Sequence, residues 1–314
     1  MELFALLAGL AGLWLGTELT IHGAVAVAER LDVPEFIVGL TVLSIGSDLP
    51  ELAIAVDAAI WNLRSGEASD VAVGSALGSC LGQIGFVLGI AGLIGFLKLP
   101  KKVAYQQGGM LLGSLVLLAV FGLDGQVTRV EGVVLVTLYV AYLFLISVNA
   151  ISLRHGNNGV PDGSLAVLLG YLVIGLVIVI GSAELTVSSA VSVATTFNVE
   201  QSFVAIVIIG LGSSLPELSI SLGAMLKRRA TLSVGNVIGS NIFDTLVPIG
   251  VAAAIAGLEF NAGMWRQELP FLFVLTLVVL FFFIRKTGIQ RLQAIIILSM
   301  YVAYVATKFL GAFQ

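Results

Sequence analysis

Seven carboxylates lie inside or beside long apolar stretches of this 314-residue chain: Glu18, Asp48, Glu51, Asp57, Glu184, Glu217 and Asp244. Three of them keep company with hydroxyls at helical spacing, and an amide repeats the pattern. Ser47–Glu51 and Ser240–Asp244 are four residues apart and Ser214–Glu217 three, while Ser79–Gln83 repeats the four-residue interval with an amide in place of the acid. Residues so spaced share one face of a helix. Carboxylates, hydroxyls and amides all offer oxygen, and the only cysteine, Cys80, excludes an intramolecular disulfide or a cysteine cluster and reads as a packing residue. This donor set suits a hard cation such as Ca²⁺, which takes about 6–8 oxygens; Na⁺ uses similar donors. Zinc and copper, which prefer nitrogen and sulfur, are poorly served. The bland alternative is a set of protonated acids that only hold helices together.

The elements that must position these groups are membrane helices. Hydrophobic residues make up 58% of the chain and charged residues 11%, against about 25% charged in a soluble domain. Too few charges are present to cover a soluble core, and apolar runs of about 20 residues, the length of a bilayer crossing, recur throughout. Ten spans are expected, at 2–28, 35–63, 70–97, 103–122, 129–149, 164–196, 200–226, 231–258, 267–284 and 291–310. The start, Met1-Glu2-Leu3-Phe4, has no basic n-region and reads as a retained span. A net charge of -4 argues against nucleic acid, and no protein partner can be inferred. Eleven of the 15 basic residues fall in one set of loops (Arg30, Lys98, Lys101, Lys102, Arg154, Lys227, Arg228, Arg229, Arg285, Lys286 and Arg291) and four (Arg64, Arg129, Arg266 and Lys308) on the other side. The positive-inside bias places both termini outside the cytoplasm of a cell membrane and a polar joint at 150–163 inside it.

The chain repeats itself. Residues 33–51, VPEFIVGLTVLSIGSDLPE, match 199–217, VEQSFVAIVIIGLGSSLPE, at an offset of 166, and Glu18-Leu19-Thr20 matches Glu184-Leu185-Thr186. Gly74–Gln83 matches Gly235–Asp244 at an offset of 161. The expected fold is therefore an all-α polytopic membrane protein of ten transmembrane helices in two five-helix repeats. These are residues 1–149, with a core repeat at about 33–93, and 164–314, with its core at about 199–258. An odd number of spans in each half makes the repeats inverted, a signature of secondary transporters. Pro50 and Pro216 lack an N–H and should break their helices, releasing carbonyls near Ser47 and Ser213; such backbone is tolerated in a bilayer only when buried or lining a polar cavity. Further breaks are expected at the glycine pairs Gly74/Gly78 and Gly235/Gly239.

No Lys or Arg lies deep in a span to neutralise the acids, and an acid at mid-bilayer costs at least a few kcal/mol, so such residues usually mark ion paths. Glu18 and Glu184 sit away from the breaks and could anchor or gate. Asp57 is expected in an aqueous mouth, and His22, one turn from Glu18, reads as a hydrogen-bonded structural residue. A channel would not require inverted broken helices. An intramembrane aspartyl protease would need paired acids such as Asp48 and Asp244, but no HExxH or GxGD is present. The chain is not expected to be an enzyme or to need a cofactor.

With its double GSxLPE and GSNIFD-like segments, the sequence resembles the sodium/calcium exchanger family, over nearly the whole chain. The resemblance implies that Glu51 and Glu217 bind Ca²⁺, with carbonyls of Ser47 and Ser213. It implies sodium sites from Ser47, Ser79, Ser213, Ser214 and Ser240 with carbonyls of Ser44 and Gly210, and Asp244 as a central acid opposite Gln83. The first and sixth spans would slide against the other eight, Na⁺ entry driving Ca²⁺ export, with no separate calcium-sensing domain. Two positions depart from the family pattern: Asp48 replaces a small hydroxyl residue, as Ser214 is in the second copy, and Gln83 replaces Asn or Asp. Asp48 is therefore expected to carry a proton in part of the cycle or to recruit an extra cation, which makes a proton-coupled or otherwise altered cation exchanger the alternative.

Overall fold

The computed structural model describes residues 2–65, 69–152, 164–196, 214–259, 262–286 and 288–311. Its helices are α1 (Glu2–Leu31), α2 (Glu35–Ser47), α3 (Leu49–Ser65), α4 (Ser69–Leu81, continuing through a π turn at Gly82–Val87 into Leu88–Ile94), α5 (Lys101–Phe121), α6 (Arg129–Ser152), α7 (Leu165–Thr196), α8 (Leu215–Leu226), α9 (Ala230–Leu246), α10 (Pro248–Ala256), α11 (Ala262–Arg285) and α12 (Arg291–Gly311). Among the described residues, seven helices are long and apolar enough to cross a bilayer. The bent pair α2–α3 makes an eighth if counted as one span. Large apolar side chains point outward along these helices, Phe4, Trp14, Phe144 and Val177 each 65% exposed or more. Apolar surface repeated over so many helices fits a hydrocarbon surround and not water.

The interior holds an unusual number of polar side chains on one helix. Every residue of α9 from Leu232 to Leu246 is buried, including Ser233, Asn236, Ser240, Asn241, Asp244 and Thr245. Polar groups are thus gathered on one central helix inside an otherwise apolar interior. A second apolar cluster ties α1 to α7 and α8 through Leu13, Ile21, Ala24, Leu172, Leu176, Val179 and Ile220, apart from the larger core around α9. Among the described residues, four short strands join helix ends: β1 (Leu97–Lys98) pairs with β4 (Gly288–Ile289), and β2 (Gln126–Val127) with β3 (Leu258–Glu259), both antiparallel.

The glycine pairs do not break their helices. α4 runs unbroken through Gly74 and Gly78, and α9 through Gly235 and Gly239. Glycine lowers helix stability by only about 1 kcal/mol, and here it lets backbones touch. A Cβ on Gly235 would lie 2.5 Å from the Phe36 carbonyl oxygen, and one on Gly39 would lie 2.5 Å from that of Leu232. The crossing of α2 and α9 therefore needs both positions bare. A Gly235→Val variant is expected to lose roughly 1–3 kcal/mol or more by overpacking. A lowered melting temperature in detergent would show it, and unchanged melting would refute the close contact.

Candidate cation-binding site

The bend between α2 and α3 is 43° and sits at Asp48. Asp48 has φ -90° and ψ 9°, and Ser214, 166 residues on, has φ -91° and ψ 11°. The same Leu-Pro-Glu follows each. In both, the carbonyl before the new helix accepts from the residue four ahead, Leu52 N–H to Asp48 O at 3.2 Å and Leu218 N–H to Ser214 O at 2.9 Å. Proline at the second helical position suits a helix start, where its missing N–H is not needed. Two copies of one break thus place Glu51 and Glu217 in the first turns of α3 and α8, where the helix dipole favours negative charge.

Tertiary packing brings the two breaks together. Asp48, Glu51 and Glu217 each offer a carboxylate oxygen within 4.8 Å of the others. They are buried, as are Asp244, Ser44, Ser47, Ser79, Gln83, Ser214 and Ser240. Asp48 Oδ2, both oxygens of Glu51 and of Glu217, Asp244 Oδ1 and the hydroxyls of Ser214 and Ser240 make no hydrogen bond of acceptable geometry. Buried acceptors left open in this way are costly, and among the described residues no ion pair reaches the four acids. A hard cation would satisfy both the charge and the open oxygens. Ser213 and Gly210 lie outside the described residues.

Gln83 turns the nitrogen end of its amide toward the acids. Its Nε2 has two hydrogens for three acceptors: Ser79 Oγ at 3.0 Å and Asp244 Oδ2 at 3.1 Å are the close ones, and Asp48 Oδ1 at 3.4 Å shares one of the two. Its own oxygen accepts from Asn241 Nδ2 at 2.8 Å. Asn241 escaped the sequence reading, although a polar residue three positions before Asp244 on an unbroken apolar helix was a usable signal. The π turns at Gly39–Leu43 and Gly82–Val87 also escaped it; such turns often mark functional positions.

The outlying polar residues fall elsewhere. Glu18 is paired: Lys227 Nζ donates to its Oε2 at 2.5 Å from the turn after α8, not from within a span. The lysine starts the turn between α8 and α9, so tertiary folding carries it back to α1. Arg229 in the same turn pairs with Glu35. Asp57 and Glu184 are exposed and away from the cluster. His22 meets Tyr171 edge-on at 5.6 Å between ring centroids. Cys80 is buried in contact with Thr245 and the Asn241 carbonyl, a packing position.

Over residues 1–148 and 167–310 the chain matches the family described as sodium/calcium exchanger protein. It belongs to that family. The sodium/calcium exchanger family is one of membrane cation antiporters, and the chain's apolar helices and oxygen-lined core are those of such a protein. An uncharacterized membrane protein of Methanocaldococcus jannaschii is 32% identical over 305 residues, 97% of each chain. The sodium/calcium exchanger MaX1 of Methanosarcina acetivorans is 25% identical over 345 residues, again 97% of each. Among solved structures, the sodium-calcium exchanger NCX_Mj soaked with 2.5 mM Na⁺ and 0.1 mM Ca²⁺ aligns over 97% of both chains, at 29% identity and a TM-score of 0.83.

Proposed function

We propose that this chain exchanges Na⁺ for Ca²⁺ across a cell membrane by alternating access, the inward flow of Na⁺ expelling Ca²⁺. The observation that carries the reading is the convergence of Glu51 and Glu217, from two breaks of one backbone shape, with open and buried oxygens. Glu51 and Glu217 hold Ca²⁺ with carbonyl help from Ser47 and Ser213. Asp48, Asp244 and the hydroxyls of Ser47, Ser79, Ser213, Ser214 and Ser240, with the Ser44 and Gly210 carbonyls, complete the cation sites. The ions are cargo; the protein is a transporter and not an enzyme, and no resident cofactor is needed.

Ten spans in two inverted five-helix repeats, 1–149 and 164–314, fit this role, joined by a cytoplasmic segment at 150–163 with both termini outside. The strand pairs support the symmetry. β3 lies 161 residues after β1, and β4 lies 162 after β2, so β1–β4 and β3–β2 are images of each other under exchange of the halves. The close backbone approach of α1 and α7, with Gly16 against Val179 and Gly23 against Leu172, supports their sliding as a unit against the rest.

Coupling requires that Ca²⁺ and Na⁺ compete for the same acids while the empty cluster resists closure. Bound cations offset the penalty of shutting four carboxylates away from water. Asp48, an acid where Ser214 stands in the second copy, favours a second reading in which a proton or another cation replaces part of the Na⁺. Proteoliposomes loaded with Na⁺ are expected to take up Ca²⁺ as Na⁺ leaves, and a pH gradient alone should drive little. Uptake indifferent to the Na⁺ gradient would overturn Na⁺ coupling, and uptake driven by protons would establish the second reading.

A further inference from the structure

The orientation of one buried amide follows from a chain of donors that begins at the backbone. Asn241 Nδ2 lies 2.8 Å from the carbonyl oxygen of Val237, which can only accept. That contact identifies the nitrogen end of Asn241, since amide ends are assigned from their hydrogen bonds. The second N–H of the same nitrogen points at Gln83, 2.8 Å away, so the Gln83 atom there must be its oxygen. The nitrogen of Gln83 is thereby turned toward Ser79, Asp244 and Asp48. All members are buried.

We infer that Asn241 is a positioning residue that holds Gln83 as a fixed hydrogen-bond donor between Asp48 and Asp244, so that Gln83 competes with a bound cation there and supplies it no oxygen. The inference deepens the proposed function and rests on its cation site. In the empty site the amide engages one oxygen of each acid, leaving Asp48 Oδ2 and Asp244 Oδ1 open. It therefore eases the empty cluster without bringing a net charge, and a cation entering between the two acids must displace a donor. An amide turned the other way would put a third oxygen toward the acids, repelling them when empty and coordinating the ion when full. The two orientations predict opposite effects on affinity.

The test measures Ca²⁺ binding and its displacement by Na⁺ on the purified full-length protein by titration calorimetry, for wild type, Gln83→Met, Asn241→Ala and the double variant. Methionine keeps the length of glutamine and removes both donor and acceptor. Gln83→Met is expected to tighten Ca²⁺ binding about tenfold, within the 10- to 100-fold scale on which outer groups tune metal affinity. Asn241→Ala should shift binding in the same direction, and the double variant should add nothing to Gln83→Met. General damage to packing would neither tighten binding nor vanish in the double variant. If Asn241→Ala yields no monodisperse protein, Asn241→Ser, which also loses the two amide donors, takes its place. Weaker binding in Gln83→Met would overturn the inference by making Gln83 an oxygen ligand. Independent, additive effects would overturn the role of Asn241. Wild type that binds neither ion would overturn the cation site itself, and the inference with it.

Discussion

Glu51→Gln and Glu217→Gln, each made alone, are expected to abolish Ca²⁺ exchange while raising the melting temperature of the ion-free protein. Both carboxylates are buried, both of their oxygens lack an accepted hydrogen bond, and both stand within 4.8 Å of Asp48. In the empty protein each is a liability, because a like-charged, desolvated cluster is unfavourable in low dielectric. Neutral glutamine removes a charge from it and can donate to a neighbouring acid, so the empty fold should gain stability. In the loaded protein the signs reverse. Losing one partner of a buried charge contact costs about 3–5 kcal/mol, which is roughly a hundredfold or more in affinity. Since the two glutamates start helices of matching geometry on either side of the site, the two losses should be of similar size. Ca²⁺ flux into Na⁺-loaded proteoliposomes, read beside thermal melting without ions, checks both signs. Normal exchange in either variant would refute its assignment as a ligand.

Asp48→Ser should alter coupling while leaving the fold in place. The change makes the first break match the second, where Ser214 occupies the same backbone conformation. Its effect should come from charge and hardly from the lost hydrogen bond, which at 3.4 Å is long for a strong contact. With four ionised acids, one Ca²⁺ leaves the cluster at -2 and three Na⁺ leave it at -1; with three acids, each loaded state is one unit closer to neutral. Ca²⁺ affinity should then fall about tenfold or more, as expected for loss of one charged oxygen donor near a divalent ion. The ratio of ions exchanged should move as well. Flux measured at clamped membrane potential, with Na⁺ and pH gradients varied separately, reads that ratio. A variant with the wild-type ratio, selectivity and pH response would make Asp48 a spectator.

Much of the site was legible before folding, and the parts that were not share a cause. The breaks at Pro50 and Pro216 follow from local covalent geometry: a ring without an N–H suits the first turn of a new helix, and the bend at Asp48 is its outcome, although Pro270 lies inside α11 without ending it. The cluster of acids announced itself because charge is scarce in an apolar chain. The glycine pairs misled, because a glycine in a sequence reads equally as a weak point and as a place of contact. Gly235 became a contact only when the Phe36 carbonyl was set against it. Glu18 looked unpaired because its partner, Lys227, is 209 residues away.

By itself the sequence determined the membrane setting, the repeat, the positions of the two proline-marked breaks and the oxygen chemistry of their side chains. Each of these depends on composition, local covalent geometry or spacing along one helix, all of which the linear order records. Only the tertiary structure decided that the two breaks meet, that Lys227 neutralises Glu18 and that Asn241 turns Gln83 into a donor. Those outcomes depend on which faces of different helices touch, and on the direction of an amide that has the same composition either way round.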